Sequence, residues 1–166
     1  MTRETYIRMT ARTRALLARL PGGEIWLRLP TLVCAASYIA MLFAMMLLGD
    51  ARLIRALLVP AACFALCTAL RPLIGRQRPY DRFEAEPVGR YIRGKGKSMP
   101  SRHTASAAAI ALAVAWAFPS PAVVVSMTAL CLLIACLRVL CGQHYPGDVI
   151  AALALSLAVS LLGYTL

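Results

Sequence analysis

From residue 104 to residue 137 the chain runs thirty-four residues without a charge, interrupted only by Pro119-Ser120-Pro121. About 20 apolar residues suffice to cross the roughly 30 Å hydrocarbon core of a bilayer. The run is therefore too long for one crossing and reads as two helices joined by a proline turn. Residues 29–48, 53–70 and 149–166 have the same character, with Arg55 close enough to the start of its run to snorkel. Five spans in 166 residues, at 60% hydrophobic composition and a mean hydropathy of +0.70, leave no room for a second domain. The expected fold is all-α: one integral membrane helical bundle of about five transmembrane helices over residues 1–166.

Residues 1–24 behave differently. Arg3, Arg8, Arg12, Arg14 and Arg19 forbid a crossing there, because each arginine at mid-depth costs about 2.5–3.5 kcal/mol. At about 100° per residue, Tyr6, Met9, Leu16, Leu17 and Leu20 gather on one side. This predicts an N-terminal interfacial amphipathic helix ended by Pro21-Gly22-Gly23, with a floppy basic tail as the alternative. The segment lacks the apolar core and cleavage site of a secretory signal. A net charge of +11 would suggest nucleic acid in a soluble protein. Here the basic residues flank apolar spans, which points to anionic lipid headgroups and membrane topology, with no nucleic acid partner. Cysteines 34, 63, 67, 131, 136 and 141 lie in or at the ends of apolar runs with no CxxC spacing, and read as small buried hydrophobes.

Polar chemistry has few places to be. The chain has two histidines: His103 follows Pro100-Ser101-Arg102 at the head of one apolar run, and His144 sits in the short break of residues 141–148, four residues before Asp148. Five spans put the N-terminal segment, the basic loop of residues 71–102 and this break on one face of the membrane. Arg71, Arg78, Arg102 and Arg138 stand near predicted helix ends on that face. Converging guanidiniums form a trap for phosphate, because the planar fork donates two hydrogen bonds to an oxyanion. Ser101 is placed to cap the third span and aim its free amides at the same point. His103 and His144 supply a nucleophile and a proton donor, and Asp148 can reach back to orient His144. A competing reading takes His103, His144 and Asp148, with Cys141, as zinc ligands. Another takes the basic face as a non-catalytic binder of anionic lipid or a partner protein.

These residues fall into three spaced motifs: Arg71 … Arg78-Pro79, then Pro100-Ser101-Arg102-His103, then Leu137-Arg138 … His144 … Asp148. The set resembles the type-2 phosphatidic acid phosphatase superfamily, which shares a helical-bundle fold with the vanadium-dependent haloperoxidases. The resemblance implies that His144 is the nucleophile that takes the phosphoryl group, that Asp148 orients it and that His103 protonates the leaving oxygen. It implies that Arg71, Arg78, Ser101 and Arg138 hold the phosphate, that no metal or other cofactor is needed, and that the substrate is a membrane lipid phosphate. A phosphotransferase or a vanadate-binding oxidant on the same fold are its variants. Three positions depart from the pattern: Arg71 stands where lysine is usual, Leu137 where serine is usual, and Arg102 where glycine is usual. At the last, the backbone amide is still expected to donate, while the long side chain must turn away or join the binding.

Twelve basic residues outside the motifs fall on the site-bearing face: Arg3, Arg8, Arg12, Arg14, Arg19, Arg28, Arg76, Arg82, Arg90, Arg93, Lys95 and Lys97. Arg52 and Arg55 fall on the other. The positive-inside rule then places the site on the cytoplasmic side of the cell membrane.

Overall fold

The computed structural model describes residues 1–93 and 97–166, and among them all regular structure is helical. The elements are α1 (Arg3–Ala18), α2 (Gly23–Leu47), α3 (Leu53–Ile74), the single turn α4 (Pro79–Arg82), α5 (Arg102–Ala117), α6 (Pro121–Leu140) and α7 (Pro146–Thr165). The breaks have local causes. Helix α3 stops at Gly75, whose φ of +62° few other residues adopt, and α4, α6 and α7 each begin with a proline, which needs no amide partner there. The Ser120 hydroxyl accepts the Val123 amide at 3.3 Å and caps α6.

Helix α5 lies at the centre, packed against α2, α3, α6 and α7. It buries Ala105, Ala107, Ala108, Ala109, Ala111, Ala113 and Ala117. Side chains that end at Cβ let backbones approach closely, and close packing is what joins helices in lipid, where the tails are as apolar as leucine. The same device joins α3 to α7: a Cβ on Gly163 would come within 2.4 Å of Val59. Buried Ser156 ties α7 to α5 by donating to the Ala105 carbonyl at 2.9 Å. Five cysteines are buried as expected, but Cys136 is exposed on α6. Large apolar side chains, among them Ile39, Phe43, Leu57, Phe64, Val125, Leu132 and Leu161, cover the outside. Apolar cover on that scale fits a lipid surround.

Four stretches are long and apolar enough to cross a membrane: Gly23–Leu47, Leu53–Arg82, Pro121–Leu140 and Pro146–Thr165. The remaining expected span, α5, is 16 residues, about 24 Å at 1.5 Å per residue. Pro100 on one side and Pro119-Ser120-Pro121 on the other bound it, and its neighbours are helices instead of lipid. Helix α2 starts six residues before the apolar run does, carrying Glu24 and Arg28 to the polar end of the bundle.

Helix α1 lies against that polar end. Tyr6 is fully buried, with its hydroxyl 3.3 Å from the carbonyls of both Ala85 and Gly142, and Thr13 donates to the Leu140 carbonyl at 3.1 Å. The segment is thus a packed helix. Tyr6, Met9, Thr10, Thr13 and Leu17 turn toward the bundle, while Leu16 and Leu20 are exposed. At the opposite end Trp116 stacks on Tyr164 at 4.5 Å, with Arg52 over the Trp116 ring.

Candidate active site

The first turn of α5, the end of α3, the last turn of α6 and the turn before α7 converge on one cavity of about 310 Å³. Arg71, Arg78, Arg102, His103, Arg138 and His144 all line it. Ser101 and Asp148, both fully buried, stand behind its wall. Residues from three motifs separated by up to 77 positions (71 to 148) thus meet at one point. Glu24, Leu27 and Arg28 of α2 close one side, and Gly89, Arg90 and Gln143 complete it.

His144 is held from behind. Its Nδ1 lies 3.5 Å from Asp148 Oδ2, and the Ser98 hydroxyl lies 3.5 Å from the same nitrogen. A carboxylate facing Nδ1 selects the tautomer with its proton there, leaving Nε2 as the free base. Burial pushes the His144 pKa below the ordinary histidine value; the hydrogen bond to Asp148 opposes this, and Arg78 adds to it. The ring is therefore neutral at pH 7, the form a nucleophile needs.

Asp148 carries a charge with no exposed surface, and such a group must be fully paired. Arg76 Nη1 donates to Oδ1 at 2.9 Å, the Tyr145 amide donates to Oδ2 at 3.0 Å, and the Ser98 hydroxyl donates to Oδ2. The Arg76 guanidinium also lies 4.3 Å over the Tyr145 ring. Arg76 and Ser98 were missed from the sequence, where Arg76 counts only toward charge. The available signal was that a buried carboxylate needs a cation. Gln143 was missed too: its Oε1 accepts from Arg138 Nη1 at 2.7 Å while its Nε2 donates to the Val88 carbonyl at 3.2 Å, which fixes the arginine.

Arg71 is buried, and its Nε donates to the Lys97 carbonyl at 2.9 Å, with Nη2 on the same oxygen. One edge of the fork is thus used to hold the loop. Ser101 occupies the N-cap position without a capping bond: its hydroxyl accepts from Thr104 at 3.1 Å, and its amide donates to the Asp148 carbonyl at 3.1 Å. The first-turn amides of Arg102, His103 and Thr104 have no backbone acceptor among the described residues. They and the positive end of the helix dipole are available to an anion. The Arg102 side chain lines the cavity instead of turning away. Among the described residues no three His, Cys, Asp or Glu side chains are grouped to hold a metal, so the zinc alternative lacks its donor set.

An apolar groove of about 400 Å³ joins this cavity at Arg102 and His103 and descends between α2, α3, α5 and α6 along Cys34, Phe64, Ile110 and Ile134.

Among solved structures, the fold is similar to that of the first transmembrane PAP2-type phosphatidylglycerolphosphate phosphatase from Bacillus subtilis. The TM-score is 0.71 at 22% identity, over 99% of this chain and 86% of that one. It is similar also to LpxE of Aquifex aeolicus, with a TM-score of 0.69 at 15% identity over 98% and 94%. At these identities the likeness is one of fold. No curated protein matches the chain. The PAP2 superfamily pattern matches residues 52–166, which contain α3 to α7 and all three motifs. The chain belongs to the PAP2 superfamily.

Proposed function

We propose that the protein is a multi-pass membrane lipid phosphatase that hydrolyses a phosphomonoester or diphosphate at the headgroup of a membrane lipid, through a phosphohistidine intermediate. The observation that carries this is a buried histidine, backed by a paired carboxylate, opening on a cavity shared with the four motif arginines and a second histidine. His144 Nε2 attacks phosphorus as the bond to the lipid oxygen breaks, and His103 gives that oxygen its proton. His103 then takes a proton from water, which attacks the phosphohistidine and releases phosphate and free His144. Arg71, Arg78, Arg102 and Arg138 hold the phosphoryl oxygens, and the α5 amides take up charge that builds in the transition state. Ser101 contributes from behind by fixing the start of α5 to the Asp148 carbonyl. The apolar groove gives the lipid tail a place within the bundle while the phosphate reaches the arginines.

The residues invoked need no metal. The cytoplasmic placement of the site rests on the distribution of basic residues; of these, Lys95 lies outside the described residues.

The test is phosphate release by the purified protein from a panel of lipid phosphates in detergent with excess EDTA, beside His144→Ala. Release that survives chelation and vanishes in the variant is expected. Release that EDTA abolishes, or that His144→Ala retains, overturns the mechanism. No release from any lipid, with binding to anionic vesicles intact, replaces it with the lipid-binding reading.

A further inference from the structure

Helix α1 lies outside residues 52–166, the part that the superfamily pattern matches, and the reaction described above uses none of its side chains. Of the five arginines in residues 1–19, Arg3 and Arg14 donate to the Phe83 and Pro87 carbonyls at 3.2 and 3.4 Å. Arg8, Arg12 and Arg19 are exposed, and none of them is in an ion pair among the described residues. At about 100° per residue these three fall within about 40° of one another, nearly opposite the buried Tyr6 and Thr10. Leu16 and Leu20, 62% and 45% exposed, lie on the flank between the two faces. Ile25 and Trp26, just past the turn that ends α1, are exposed as well.

A basic face beside an apolar flank suits the headgroup layer of a bilayer, where arginines meet phosphate oxygens and leucines reach the acyl boundary. Tryptophan favours the same layer. A soluble acidic partner would match the arginines and leave the leucines in water.

The same helix is tied to the wall of the catalytic cavity. The Tyr6 hydroxyl lies 3.3 Å from the Ala85 carbonyl, so with Arg3 and Arg14 α1 grips every second carbonyl from residue 83 to residue 87. The residues that follow belong to the wall. Gly89 and Arg90 line the cavity, and the Val88 amide donates to the Cys141 carbonyl at 2.9 Å. The Val88 carbonyl accepts from Gln143, whose other end holds Arg138. Only this loop and Gln143 separate α1 from an arginine of the catalytic cavity, so a change in how α1 rests on a surface reaches the support of Arg90 and Arg138.

We infer that the outer face of α1 is a docking surface for anionic phospholipid headgroups, and that docking there holds residues 83–90 in the arrangement that receives the substrate phosphate. Anionic lipid that is not a substrate is then an activator. The activation rests on the phosphatase reading above; the docking surface does not. No bond is made or broken in this step, and the headgroup contributes only its negative charge and its phosphate oxygens.

The experiment places the full chain in nanodiscs of phosphatidylcholine with and without phosphatidylglycerol, a diester that offers no terminal phosphate. With phosphatidylglycerol, hydrogen exchange of the α1 amides is expected to slow by about fivefold. Phosphate release from a fixed small share of diacylglycerol phosphate is expected to rise by about fivefold, an ordinary size for coupling between two sites. The triple variant Arg8→Gln/Arg12→Gln/Arg19→Gln keeps the wild-type rate in phosphatidylcholine and loses most of both responses. So does the wild-type protein in salt on the order of 1 M, where the Debye length is about 3 Å. Equal exchange of α1 in the two discs, or responses that the triple variant retains, overturns the docking surface. Slower exchange without a faster reaction, or inhibition by phosphatidylglycerol, overturns the activation. Soluble polyglutamate that slows exchange in phosphatidylcholine as much as phosphatidylglycerol does would assign the face to an acidic protein and overturn the lipid proposal. No phosphate release in any disc removes the phosphatase reading and the activation with it, while exchange still decides the docking surface.

Discussion

Arg76 Nη1 donates to Asp148 Oδ1 at 2.9 Å, and thereby balances a carboxylate that has no exposed surface. Arg76 lies in the linker after α3 and Asp148 in the first turn of α7. The bond ties the first motif to the third one layer behind the cavity. A residue in that position acts on the chemistry through Asp148 and His144 without touching substrate.

Arg76→Gln is expected to lower kcat by about tenfold or more with little change in KM, given about 1.5–3 kcal/mol for a hydrogen bond to a charged group. With the cation gone, Asp148 attracts a proton to His144 more strongly, so the acid limb of the pH profile moves to higher pH. Arg76→Lys restores part of both. A change confined to KM would show that Arg76 binds substrate.

The pH profile itself is expected to be bell-shaped. His144 attacks as the neutral ring, and burial holds its pKa below the ordinary histidine value of about 6.5. The acid limb therefore lies below pH 6.5, where His144 takes up its proton. The alkaline limb belongs to His103, which must hold a proton to give to the leaving oxygen. Constant kcat/KM between pH 5 and pH 9 would contradict both assignments.

His103→Ala separates proton donation from binding. On a lipid phosphate, whose alkoxide leaves poorly, the loss is expected to be on the order of 10² to 10⁴ in kcat. On an aryl phosphate, whose phenolate needs no proton, the loss is at least tenfold smaller, and the alkaline limb disappears. Equal losses on the two substrates would assign His103 to binding alone.

Gly142→Ala tests the clamp between α1 and the turn before α7. Gly142 has a φ of +71°, and a Cβ there would stand 2.6 Å from the Tyr6 ring and 2.7 Å from Thr10 Cγ2. The thermal midpoint in detergent is expected to fall by several degrees, in line with about 1–3 kcal/mol for strain and overpacking. In a Tyr6→Ala background the cost of Gly142→Ala shrinks by the part due to the Tyr6 clash and keeps the part due to Thr10 and backbone strain. Losses that simply add in the double variant would mean that the two residues do not meet.

The membrane fold was legible because a bilayer imposes its length scale directly on the sequence. The charge-free runs and Pro119-Ser120-Pro121 marked the helices, and the even numbers of expected spans before the two polar breaks, two and four, put Arg71, His103, His144 and Asp148 at one end. Motif spacing then brought His103, His144 and four arginines to one cavity. What spacing alone left out were the residues that act from a second layer. Asp148 finds Arg76 and Ser98 because Gly75 ends α3 and turns the linker toward α7, a direction no periodicity encodes. What the sequence left open about α1 was its polar contacts, because these depend on distant carbonyls, those of Ala85, Leu140 and Gly142. Local sequence, read against lipid, thus determined the spans and the chemistry-bearing residues. Tertiary contact alone decided which charges neutralise one another, because that depends on groups that meet only when distant segments pack.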